Sequence, residues 1–343
     1  MRWFELIAGL LTILAGAELF TGGVEWIGQG MGLSEGMVGS VLAAIGTALP
    51  ETTLPFVAIL TGHGVGKDIG VGAILGAPFM LSTLAMFVLG ASALAYAGRG
   101  RRAMTLGPQR HVISQDLTFF VGMYSLAIVA GLLHVKPLDW AVAGVLVISY
   151  GWYVRRHYRT PGEEKLEEEA AGEIRPLRIW AMRSAGRPGE RPADPPRWAS
   201  AVQTLLGLAL IIVGARIFVA VIKSLAARFG IPDLPFALLL APVATELPEQ
   251  FNAVLWLRRR KDTLAVGNVT GAMVFQASFP VTVGLLFTPW RLEGEALAAA
   301  LVSLAAALFV LASLRLRGRL SAPLLLAQGA LYAGYVTYVL TRL

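Results

Sequence analysis

A chain of 343 residues that is 56% hydrophobic and only 15% charged is not a water-soluble globule, in which about 25% of residues carry charge. It reads as an all-α polytopic membrane protein. The absence of cysteine excludes disulfides, thiolate metal sites and thiol nucleophiles. A formal charge of +7 would suit nucleic acid, but the bases sit in short clusters between apolar runs, where orientation signals belong. Nucleic acid is therefore not an expected partner; membrane lipid is.

A membrane span needs about 20 mainly apolar residues. Ten such runs occur, at 4–27, 36–61, 67–96, 116–134, 138–154, 199–227, 233–257, 262–287, 294–314 and 320–341. The first follows Met1-Arg2-Trp3 directly, carries Glu18 and lacks a small-residue cleavage site, so it reads as a retained helix and not a signal peptide. Between the fifth and sixth runs lies a polar stretch, 155–198, centred on Glu163-Glu164-Lys165-Leu166-Glu167-Glu168-Glu169. It lacks the alternating ligands of a calcium loop and reads as a charged linker. Its segment Arg178-Ile179-Trp180-Ala181-Met182-Arg183 suits a bilayer surface.

Loops 99–110, 155–198, 258–261 and 315–319 hold 21 of the 29 Lys and Arg, and all four fall on one side of a ten-span chain. By the positive-inside rule that side is cytoplasmic. Both termini then face outward, in an inner (plasma) membrane protein.

The chain also repeats. Gly16-Ala17-Glu18-Leu19-Phe20 returns as Gly214-Ala215-Arg216-Ile217-Phe218, and Thr47-Ala48-Leu49-Pro50-Glu51 as Thr245-Glu246-Leu247-Pro248-Glu249. Lys67-Asp68, Val71-Gly72 and Gly76 return, slightly shifted, as Lys261-Asp262, Val266-Gly267 and Gly271. The expected organisation is a five-helix repeat over 1–154, a linker over 155–198 and a second five-helix repeat over 199–343. An odd number of spans per repeat inverts the two halves, and inverted repeats with broken helices are a transporter architecture with its site near the midplane.

Pro50 with Glu51, and Pro248 with Glu249, fall inside the second and seventh runs. A proline there frees a carbonyl that must find a partner in lipid. A carboxylate at that depth costs roughly 2.5–3.5 kcal/mol on insertion scales. Hard cations take oxygen ligands, so Glu51 and Glu249, with the hydroxyls of Thr47 and Thr245, compose a candidate cation site. Glu246 lies three residues before Glu249, on nearly the same helix face. Two carboxylates that close resist ionising together, which opens a route to proton coupling. Asn268 and Gln276 are about two turns apart; Gln276 reads as a neutral oxygen ligand, and Asn268 as a ligand or a helix bridge. Gly76 and Gly271 allow close helix approach. Glu18 and Arg216, at equivalent repeat positions, read as a buried charge pair across the interface.

The segments GAELF…GLSEGMVGSVLAAIGTALPE, GARIF…GIPDLPFALLLAPVATELPE and KDTLAVGNVTGAMVFQ resemble the paired repeats of the sodium/calcium exchanger family. The resemblance implies a cation antiporter, most simply one exchanging calcium for sodium, with Glu51 and Glu249 as central ligands. A proton-coupled exchanger is the alternative. The expected ions are Ca2+ with Na+ or H+, and no resident cofactor or catalytic residue is implied. The chain departs from the family at Ala48, Ala77, Leu81 and Ala272, where oxygen-bearing residues are usual, and at Ala73. It gains the acid Glu246. A phosphate-binding Gly-x-x-x-x-Gly-Lys-Ser/Thr motif is absent. The histidines at 63, 111, 134 and 157 fall at span ends or in loops, away from any metal-hydrolase pattern.

Overall fold

The computed structural model describes residues 2–48, 65–100, 102–159, 196–228 and 246–342. Within them the chain is almost wholly helical. α1 (Arg2–Gly30) is followed by α2, residues 35–48, which opens with a π-helical stretch at Met37–Ala43. α3 runs from Val65 to Gly98 and passes through a second π-helical stretch, Leu81–Ala85, just after Pro78. Next come α4 (Arg110–Leu133), α5 (Lys136–Arg159), α6 (Arg197–Arg228) and α7 (Leu247–Arg258). α8 (Asp262–Gln276) and α9 (Phe279–Phe287) form one apolar passage broken at Ala277 and Ser278, before α10 (Gly294–Arg317) and α11 (Ala322–Leu340). Among the described residues, seven helices are long and apolar enough to cross a membrane. The second, fifth and seventh expected spans are not among them. α2 and α7 adjoin residues 49–64 and 229–245, which lie outside the described set, and α5 carries charge at both ends. Most of the linker, 160–195, also lies outside.

α1 and α6 form a close antiparallel pair because glycine recurs every seventh residue on both. A Cβ on Gly16 would lie 2.8 Å from the Gly207 carbonyl oxygen, and one on Gly207 would lie 2.9 Å from that of Gly16. Gly9 and Gly214 meet in the same reciprocal way, at 3.1 and 2.8 Å. Small residues at these points let backbones touch, the main source of helix association where lipid is as apolar as the side chains. α8 is the centre of the rest: every residue from Thr263 to Gln276 is buried. Gly267 and Gly271 let it lie against α2, where a Cβ on Gly271 would collide with the Ser40 carbonyl.

The described parts of the basic loops gather at one end of the bundle. Thr105 and Leu106 pair antiparallel with Ser321 and Leu320. Arg102 donates two hydrogen bonds to Asp262, at 2.9 and 3.0 Å, and one to the Leu257 carbonyl. Gly107 N–H also donates to Asp262, and Arg197 to the Gly30 carbonyl. At the opposite end Lys136 caps the Leu285 and Thr288 carbonyls and bridges to Asp139.

Candidate functional site

The acids of the seventh run stand at a helix start. α7 begins at Leu247 with Glu246 as its N-cap residue and Pro248 in the first turn. Proline suits that position because it lacks the N–H that would go unused there. Glu246 and Glu249 are both fully buried, and the partial positive charge of a helix N-terminus favours carboxylates there. α8 supplies the facing amides. Gln276 Nε2 donates to Glu246 Oε1 at 2.8 Å, and Asn268 Nδ2 donates to the Glu249 carbonyl at 3.1 Å. Asn268 thus bridges α7 and α8, and its Oδ1 has no hydrogen-bond partner among the described residues. Apart from the two acids, the buried residues that α7 and α8 supply are apolar, amide or hydroxyl-bearing.

Thr47 and Ala48 are buried at the end of described α2, where the Thr47 hydroxyl donates back to the Ala43 carbonyl at 3.1 Å. Gly76 is buried on α3, as are Ala77 and Leu81; Ala272 is buried on α8. Glu51, Pro50 and Thr245 lie outside the described residues. Among those described, no three His, Cys, Asp or Glu side chains converge on a metal position. Sequence reasoning passed over Asn252, one turn beyond Glu249. It is buried, and neither its Oδ1 nor its Nδ2 has a partner among the described residues.

The expected pairing of Glu18 with Arg216 is not formed. Glu18 Oε1 instead accepts from Arg259 Nη2 at 2.9 Å, while Arg216 is exposed. The repeat places these two residues at equivalent positions of α1 and α6, but equivalence does not make neighbours. Arg259, at the turn after α7, reaches both Glu18 and Glu25, the latter at 3.4 Å. Glu25 is buried and also pairs with Lys261 and with Trp256 Nε1, the indole at 2.6 Å. This cluster ties α1 to the α7–α8 turn at the basic end. It was invisible as a pattern because its members are 234 positions apart in the Glu25–Arg259 contact.

A second buried acid also escaped the sequence reading. Asp116 on α4 accepts from Ser40, Tyr153 and Thr270, lies 2.9 Å from His157 Nε2 and is fully buried. His157, expected at a span end or in a loop, does stand near the end of α5, but it is turned inward.

A helical membrane fold with buried acids at the start of α7, faced by amides of α8, defines the class: a polytopic membrane transporter fold. Its shape matches a structure of the sodium-calcium exchanger NCX_Mj soaked with Na+ and Sr2+, with a TM-score of 0.72 at 21% identity over 98% of this chain and 99% of that one. The sequence profile of the sodium/calcium exchanger protein family matches residues 2–158 and 199–341, and the chain belongs to that family. It is similar to the putative antiporter CaxA of Alkalimonas amylolytica, with 25% identity over 85% of this chain and 82% of that protein. It is likewise similar to the sodium/calcium exchanger MaX1 of Methanosarcina acetivorans, with 25% identity over 84% of each. The family is one of exchangers, not enzymes.

Proposed function

We propose that this protein is a secondary-active cation antiporter that extrudes calcium in exchange for sodium by alternating access. The observation that carries the reading is the pair of fully buried carboxylates, Glu246 and Glu249, within one turn of a helix start and faced by Gln276 and Asn268. Carboxylates so placed are stabilised by a bound cation, whose ligands are carboxylate, amide and carbonyl oxygens. Glu51, Thr47 and Thr245 complete the ligand set from the repeat-related segments. Pro50, Pro248, Gly76 and Gly271 shape the backbone around it.

In this reading the chain has ten spans in two inverted repeats. The reciprocal contacts Gly9–Gly214 and Gly16–Gly207 support it: Gly9 and Gly207 share the repeat offset of Gly16 and Gly214, as a pseudo-twofold axis between α1 and α6 requires. The basic end of the bundle is cytoplasmic by its charge, so both termini face outward. The α1–α6 pair moves against the core of α2, α3, α7 and α8, and the Glu25–Lys261 cluster closes the cytoplasmic side.

A proton-coupled exchanger is the second reading, favoured by the closeness of Glu246 to Glu249. Two neighbouring carboxylates share a proton readily when no cation is between them. Calcium uptake into proteoliposomes separates the two. Uptake driven by an outward sodium gradient and lost in Glu249→Gln supports sodium exchange; uptake driven only by an outward proton gradient supports the second. Folded protein that takes up calcium in neither gradient overturns the calcium assignment.

A further inference from the structure

Asp116 sits where four helices meet. Its Oδ2 accepts from Ser40 Oγ on α2 at 2.7 Å and from Thr270 Oγ1 on α8 at 2.6 Å. Its Oδ1 accepts from Tyr153 OH at 3.0 Å and is 2.9 Å from His157 Nε2, both on α5. The π-helical stretch of α2 presents the Ser40 carbonyl sideways, and Tyr153 OH also lies 3.1 Å from it. The His157 side chain is 1% exposed, and its Nδ1 has no hydrogen-bond partner among the described residues.

A carboxylate offers about four lone-pair sites, and three hydroxyls and an imidazole nitrogen surround Asp116. A metal ion would have to displace them, whereas a proton need only add to the imidazole. With His157 neutral the cluster carries one negative charge; with His157 protonated it is an ion pair of no net charge. Other titratable groups on the packed elements do not substitute for His157. Tyr150 and Tyr153 face Asp116 from α5, while α2 and α8 bring only hydroxyls to it. α9 carries no ionisable residue. Arg155, Arg156 and His111 are exposed, Glu35 is half-buried before the π-helical stretch, and Arg315 of α10 donates to Thr118. The nearly buried bases elsewhere, Arg102, Arg259 and Lys261, pair with Asp262, Glu18 and Glu25.

We propose that Asp116 and His157 form a proton-binding site linked to the cation site, so that cation binding expels the proton and protonation weakens cation binding. The inference rests on placing the cation site at Glu246 and Glu249. Thr270 is six residues from Gln276 on α8, and Ser40 seven from Thr47 on α2, which sets the Glu246 end of the cation site roughly 10 Å from Asp116 along the helices. At that distance and an effective dielectric of about 20, one unit of charge changes monovalent cation affinity about tenfold, and divalent affinity more. Linkage makes the effect reciprocal. The cluster touches both α2 and α8, the helices that would carry ligands on either side of the axis.

The test uses the full chain with His63→Gln, His111→Gln and His134→Asn, leaving His157 as the one histidine. Nitrogen-15 NMR of its ring follows protonation with and without calcium chloride, and thermal unfolding reports calcium binding on the same samples. The expected result is a His157 midpoint that falls by about two pH units when calcium, a divalent ion, is saturating, with calcium affinity at least about tenfold weaker at pH 5.5 than at pH 8. In His157→Gln that part of the pH dependence disappears while calcium still raises the unfolding temperature. A His157 midpoint unmoved by calcium, in protein that calcium stabilises, overturns the proton site alone. Protein that calcium stabilises at no pH overturns the cation-site reading and this inference with it.

Discussion

At the basic end of the bundle Glu25 is met by Lys261, Arg259 and Trp256, so its charge is balanced by bases that reach it from the α7–α8 turn. Some helical turns away, Glu246 and Glu249 are equally buried, but α8 brings amides there, Gln276 to the Glu246 carboxylate and Asn268 to the Glu249 carbonyl. The first arrangement is a fastening: removing either sign leaves the other stranded in a medium that cannot solvate it. The second, in the function proposed above, takes a cation from water and gives it back. In that proposal the same residue type, glutamate, serves opposite purposes according to what its neighbours supply.

The comparison is broken most forcefully by removing the balancing base. Lys261→Ala is expected to cost about 3–5 kcal/mol of stability, seen as earlier thermal or denaturant unfolding, and adding Glu25→Gln should restore most of it. If the double variant is no more stable than the single one, the cluster is not a charge balance. On the other side of the comparison, Glu249→Gln should reduce calcium transport at least about a hundredfold, equivalent to roughly 2.7 kcal/mol, yet leave the unfolding midpoint near that of the parent. A matching loss of stability would place Glu249 among the fastenings instead. The glycine seam that joins α1 to α6 is tested by Gly207→Ala, whose Cβ would press on the Gly16 carbonyl and the Phe20 backbone. About 1–3 kcal/mol of destabilisation is expected, against less than about 0.5 kcal/mol for Gly30→Ala, where a Cβ would meet nothing within 4 Å. The smallest effect belongs to Gln276→Ala. Loss of one hydrogen-bonding amide beside Glu246 should weaken apparent calcium affinity about three- to tenfold, read from the calcium dependence of uptake.

Apolar runs of the right length are local facts, and they were enough to locate the long helices: the limits of α6, of the α8–α9 passage and of α10 fall within a few residues of those read from the chain. Repeated motifs were enough to single out Glu246, Glu249 and Asn268, because an acid or amide in an apolar run is conspicuous whatever surrounds it. The family followed from the same segments. What the chain could not disclose is which buried polar groups face which. Glu18 was matched to Arg216 by position in the repeat, whereas the side chain that reaches it comes from the end of α7. Asp116 and His157 stand at the ends of apolar runs like many charged residues that face water. Their burial depends on α2 and α8 closing over them, with glycines at 267 and 271 permitting the approach. Composition and periodicity determined that this is a helical membrane protein with acids at depth. Only the tertiary structure decided which acids are balanced, because charge pairing depends on distances of a few ångströms between residues far apart in the chain.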